Sequence, residues 1–108
     1  MGKYQIEEME GFLSRIFLEK KVKKAILFGS MARGTESKRS DLDLLIIVDT
    51  DKRFFDRYDD FIDIYDKLPG WLVDLLIYTP KEFEAISHRK FIQTIIKEGK
   101  TIYEHWKK

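Results

Sequence analysis

The run Leu44-Leu45-Ile46-Ile47-Val48 is the longest uninterrupted apolar stretch in the chain. A strand that is apolar on both faces must be covered on both, and helices on each side of a sheet provide that cover. The run is also far too short to cross a bilayer. This one segment therefore asks for helices layered around a sheet. The chain has the material to build it. Of its 108 residues, 44% are hydrophobic and 14% aromatic, which suits one compact domain over residues 1–108 with a core of its own. The 20 basic and 19 acidic residues nearly cancel, so charge gives no reason to expect a protein that coats nucleic acid or lies on a membrane. Cysteine is absent, which excludes disulfides, thiolate metal sites and a cysteine nucleophile. The N-terminus has no apolar leader-like run, and the expected location is the cytoplasm.

The remaining elements follow from periodicity and punctuation. Ile6, Met9, Leu13, Ile16 and Phe17 fall at helical spacing, so residues 6–17 read as an amphipathic helix. The basic cluster at residues 20–24 reads as a solvated helix end that complements the dipole. Residues 25–28 form a short buried strand, and residues 42–48 form a second. Between 54 and 68 the pairs Phe54/Phe55 and Phe61/Ile62, with Tyr58 and Tyr65, predict a helix whose aspartates make a solvated outer face. Pro69-Gly70 marks a turn before a third strand over 71–78. Thr79, Pro80 and Glu82 then spell a capping box with proline at the first helical position. A further helix over 88–97 ends at Gly99, and residues 101–103 suit a short edge strand. The expected class is α/β or α+β, a small mixed sheet flanked by helices.

The segment "ILFGSMARGTESKRSDLDLLIIV" (residues 26–48) departs from this pattern by setting two aspartates at the mouth of a strand that otherwise wants burial. Side chains alternate along a strand, so Asp41 and Asp43 project to the same side with Cα atoms roughly 6.6 Å apart. Two carboxylates so placed can converge on a hard cation such as Mg²⁺, which takes oxygen ligands, waters and substrate phosphates. Asp74 is an isolated charge in the third strand. If that strand lies beside the second, three carboxylates gather, a set that suits two metal ions better than a metal-free core because like charges repel. Gly29 directly after a strand lets backbone approach a ligand closely, and Ser30 offers a hydroxyl and free N–H groups to a phosphate.

The spacing Gly29-Ser30, ten residues, then Asp41-x-Asp43 resembles the signature of the DNA polymerase β-type nucleotidyltransferase superfamily. The longer string "GSMARGTESKRSDLDLLI" is similar to its minimal nucleotidyltransferase branch, and the likeness continues through "VDLLIYTPKEF" to "IIKEGKTIYE". The resemblance implies a polymerase β-like fold and transfer of a nucleoside monophosphate, AMP from ATP, to a hydroxyl. It implies that Gly29 and Ser30 hold the triphosphate. Asp41 and Asp43 would bind two Mg²⁺ ions, and Asp74 would serve the metal beside the attacking oxygen. It also offers Asp74 as acceptor of the hydroxyl proton.

Arg33, Lys38 and Arg39 lie in the intervening loop and receive no role. His88 and His105 are isolated, and the two tryptophans and the tyrosines read as core or interface. Larger members of the superfamily carry an additional acceptor-binding domain for which this sequence has no counterpart. Minimal members are commonly paired with a helical HEPN-type protein as antitoxin and toxin. The resemblance thus implies a HEPN-type partner adenylylated on a tyrosine. Two alternatives stand beside that: an antitoxin that only binds, with a vestigial site, and transfer to a small-molecule hydroxyl in a pocket formed across a homo-oligomer.

Overall fold

The computed structural model of the chain describes residues 3–29 and 41–105, with backbone alone for residues 3–7. Helix α1 (Lys3–Glu19) leads into strand β1 (Val22–Phe28), and β2 (Asp41–Val48) follows. A 3₁₀ segment (Phe54–Phe61) runs into the short helix α2 (Ile62–Lys67), then come β3 (Leu72–Tyr78), α3 (Pro80–Ile86), α4 (Lys90–Glu98) and β4 (Lys100–Glu104). The sheet order is β3-β2-β1-β4. Strand β2 runs parallel to β3 and antiparallel to β1, and β1 is antiparallel to β4, so the sheet is mixed as the sequence predicts.

Alternation along the central strands divides the interior into two cores. Leu42, Leu44, Ile46 and Val48 face one way, against the α1 stripe of Met9, Leu13, Ile16 and Phe17 and against Phe61 and Ile64. Leu45 and Ile47 face the other way, with Ile26, against Ile92 and Ile95 of α4. The apolar run at 44–48 is thus covered on both faces, which is why it needs no polar alternation. Among the described residues no helix is long and apolar enough to cross a membrane.

Two expectations need correction. Lys23 and Lys24 are not part of a helix end: α1 stops at Glu19, Lys21 takes a positive φ of 61°, and both lysines lie on β1. Their ammonium groups pair with Asp49 at 3.4 Å and Glu104 at 3.8 Å. Residues 54–61 wind as a 3₁₀ segment rather than an α-helix, and of the pairs Phe54/Phe55 and Phe61/Ile62 only Phe61 is fully buried, with Phe55 and Ile62 exposed. Gly99 ends α4 as expected, in an extended conformation with φ −76°. Its glycine character serves contact, since a Cβ there would run into the Ile95 carbonyl and the Ile26 side chain. At the Pro69-Gly70 turn, by contrast, Gly70 does use a positive φ of 87°.

The 3₁₀ segment carries a buried arginine that helical periodicity did not reveal. Arg57 donates to both Glu82 carboxylate oxygens (2.7 and 3.0 Å), to the Ile77 carbonyl (3.0 Å) and, through Nε, to the Lys52 carbonyl (3.0 Å). Glu82 closes the expected capping box by accepting from the Thr79 N–H at 2.9 Å, while the Glu82 N–H donates to the Thr79 hydroxyl at 3.1 Å. Tyr58 donates to the Leu75 carbonyl at 2.6 Å. Strand β3 is an edge strand, so Tyr58 and Arg57 satisfy outward carbonyls that would otherwise invite another strand.

The Arg57 bonds, followed by those from Thr79, hold the Glu82 carboxyl down to about 2 from 4.5. A carboxyl depressed by folding stabilises the fold above its ordinary range, and that contribution fades as pH falls from about 4.5 toward 2. Because the Glu82 side chain is 44% exposed, solvent screening reduces the effect to about 1–2 kcal/mol. Glu82→Gln should therefore lower the urea midpoint at pH 7 and flatten its decline as pH falls from about 4.5 toward 2, the window between the unfolded and folded carboxyl values. Equal declines in wild type and variant would show that the pair does not govern acid stability.

Candidate active site

The site is built where β1 ends and β2 begins. Asp41 and Asp43 are the first and third residues of β2, so both side chains leave the sheet on the face that carries α3 and α4. Antiparallel pairing sets Phe28 opposite Asp43, and parallel pairing sets Asp74 opposite Asp43 on the other flank. Residues in register on neighbouring strands stand about 4.8 Å apart and share a face. The pattern seen in the sequence, two aspartates on one strand and a third on another, thus becomes one acidic patch at one end of the sheet.

Gly29 follows Phe28 with φ +78°, a left-handed conformation that glycine adopts without strain. A Cβ at this position would run into Asp43 Oδ2 and lie 3.2 Å from the carboxyl carbon. The backbone after β1 therefore lies against the Asp43 carboxylate with no room for a side chain between them. Asp41 is half-buried, and its Oδ1 is fully buried without a hydrogen-bond partner among the described residues. An orphaned carboxylate oxygen is costly in a finished interior. It is the expected state of a donor atom whose proper partner is a cation.

Asp74 is exposed, and among the described residues no three acidic or histidine side chains close around a single point. The donor set is therefore open. An open set of carboxylate oxygens fits Mg²⁺, which keeps several waters and completes its shell with substrate phosphates rather than with a closed protein cage. Asp41 and Asp43 would hold such an ion, with Asp74 opposite Asp43 in register on β3. Burial raises the Tyr58 and Tyr65 phenols above their ordinary range, and the negative charge of Asp74 contributes to both shifts.

Ser30, Arg33, Lys38 and Arg39 lie outside the described residues. The residues that sequence reasoning missed are those that fix β3, Arg57 and Tyr58. Glu82 was legible as a capping residue but not as the partner of Arg57.

Residues 6–103 match the family model described as nucleotidyltransferase domain. A candidate protein adenylyltransferase of Methanocaldococcus jannaschii, MJ0604, is 33% identical over 86 residues, covering 77% of this chain and 80% of that protein. A second from the same organism, MJ1379, is 34% identical over 79 residues, covering 72% and 73%. Among solved structures, a toxin–antitoxin with AMP-PNP superposes with a TM-score of 0.64 at 19% identity, over 89% of this chain and 73% of that one. A complex of a tri-AMPylated Shewanella oneidensis HEPN toxin with MNT antitoxin gives 0.62 at 16% identity, over 92% and 72%. At these identities the structural likeness establishes a shared fold.

The crowding at Gly29 is open to direct test. Gly29→Ala forces a side chain into the Asp43 carboxylate and a strained φ, and should cost about 1–3 kcal/mol in denaturant unfolding. Asp43→Gly in the same background should recover part of that loss, because it removes the atoms the new Cβ meets. Additive losses in the double variant would mean that the two residues do not press on each other.

Proposed function

This chain belongs to the nucleotidyltransferase domain family, and we propose that it transfers AMP from ATP to a hydroxyl of a partner protein, a tyrosine of a HEPN-type toxin, acting as an antitoxin in the cytoplasm. Residues 1–108 would form one minimal transferase domain. The observation that carries the reading is the register that sets Asp74 opposite Asp43, on the face that also bears Asp41. The names of the curated relatives and the AMPylated toxin in a structural neighbour support protein as acceptor and adenylyl as the group transferred.

In the proposed reaction the acceptor oxygen attacks the α-phosphorus of ATP. The bond to the bridging oxygen of the β-phosphate breaks, and pyrophosphate leaves. Magnesium ions held by Asp41, Asp43 and Asp74 would supply charge neutralisation at the attacking and leaving oxygens. The chain's own work is positioning. Gly29 lets the backbone come close enough for its N–H groups and Ser30 to hold the triphosphate, and Asp74 takes the proton from the acceptor hydroxyl. Such transfers gain mostly from orientation and preorganised charge, so one misplaced carboxylate is costly.

The test is to incubate a HEPN-type partner protein with ATP, Mg²⁺ and either wild type or Asp74→Asn, and to weigh the partner intact. Wild type should add adenylyl units, and Asp74→Asn should add them more slowly by on the order of a hundredfold while still co-eluting with the partner. A partner silenced equally by both proteins with no mass added would make this a binding antitoxin. Modification of a small hydroxylated compound in place of the partner would transfer the reading to that acceptor.

A further inference from the structure

Phe28 packs against the second core, but packing does not account for Phe91, the ring beside it. Phe28 is the last residue of β1, the register partner of Asp43 and the immediate neighbour of Gly29. Its ring meets Phe91 edge-on, with centroids 6.1 Å apart and planes at 88°. Phe91 stands in the first turn of α4 and is 59% exposed. Helix α4 is held to the sheet by Ile92 and Ile95, which are buried, so it does not need Phe91 for anchorage. A phenyl face turned to water forgoes the hydrophobic gain that burial would give it.

Position distinguishes this ring from the other exposed apolar residues. Phe28 and Asp43 are opposed across an antiparallel pair, with Cα atoms about 5 Å apart. Phe91 extends the aromatic surface of Phe28 outward, and Phe28 is the register partner of Asp43. Leu72, also exposed and in register with Asp41, is aliphatic and offers no π face. A nucleobase has one, and stacking on a protein aromatic tolerates any base but rewards the larger area of a purine.

We propose that Phe91, steadied by Phe28, is the platform on which the base of the nucleoside triphosphate stacks, and that it gives the site a preference for purines. This inference rests on reading Asp41, Asp43 and Gly29 as the triphosphate end of the site. Stacking and triphosphate binding are separable, because inorganic tripolyphosphate engages the second without the first.

Calorimetry of wild type, Phe91→Ala and Phe91→Tyr, each titrated with ATP, CTP and tripolyphosphate in the presence of Mg²⁺, tests it. Wild type should bind ATP more tightly than CTP. Phe91→Ala should lose roughly tenfold in ATP affinity and leave tripolyphosphate binding unchanged, and Phe91→Tyr should restore ATP. Equal losses for ATP and tripolyphosphate would make Phe91 a structural residue and overturn the platform, as would an unchanged ATP affinity in Phe91→Ala. If wild type binds neither ATP nor tripolyphosphate, the triphosphate site itself is misread and the platform falls with it.

Discussion

The pairing of β2 with β3 is the constraint on which the site depends. A slip of one residue along a strand turns every side chain to the opposite face. Here such a slip would expose one core and carry Asp74 away from Asp43. Both faces of the pair resist it, because Leu44 and Ile46 are locked into one core while Leu45 and Ile47 are locked into the other. Strand β3 is also held from its free edge by Tyr58 on the Leu75 carbonyl and Arg57 on the Ile77 carbonyl. The placement of the carboxylates is therefore inherited from hydrophobic packing several residues away, and no feature of the carboxylates themselves produces it.

Left to local preference, the sheet would not adopt this arrangement. Like charges directly opposite on neighbouring strands destabilise the pair, and aspartate is depleted in strands. Asp43 stands opposite Asp74, and the Asp41 Oδ1 is buried without a donor among the described residues. Such violations are tolerated at one end of the sheet because the opposite end is over-determined by aliphatic packing. Conflict between local rules and a firmly packed scaffold is where function is expected. A hard cation removes it, since carboxylates that repel one another become ligands of one positive centre.

The sequence made some of this legible and concealed the rest, for identifiable reasons. The helices, the strands and the capping box at Thr79 could be read because each is signalled by periodicity or a cap within a few residues. The patch of Asp41 and Asp43 was legible because alternation is a local rule. Asp74 required a guess about which strands are neighbours, and the parallel pairing bears that guess out. Lys23 and Lys24 deceived because a run of lysines after a helix looks solvated, whereas their stems lie along β1 and only their charges reach Asp49 and Glu104. Arg57 was not legible at all. Its partners, Ile77 and Glu82, lie 20 and 25 residues downstream, and nothing local marks it for burial. The same absence of a local signal hid the 3₁₀ winding, whose apolar spacing over a few turns passes for an α-helix.

The central claim is that the acidic patch at the end of the sheet is a cation site that grips a nucleoside triphosphate. Anomalous diffraction from crystals grown with Mn²⁺ and a non-hydrolysable ATP analogue tests it most directly. Manganese peaks are expected bounded by the carboxylates of Asp41 and Asp43, with Asp74 on the open side and the analogue's phosphates completing the shell. Manganese confined to the acidic surface of residues 56–66, or an analogue bound away from Asp41 and Asp43, would contradict it.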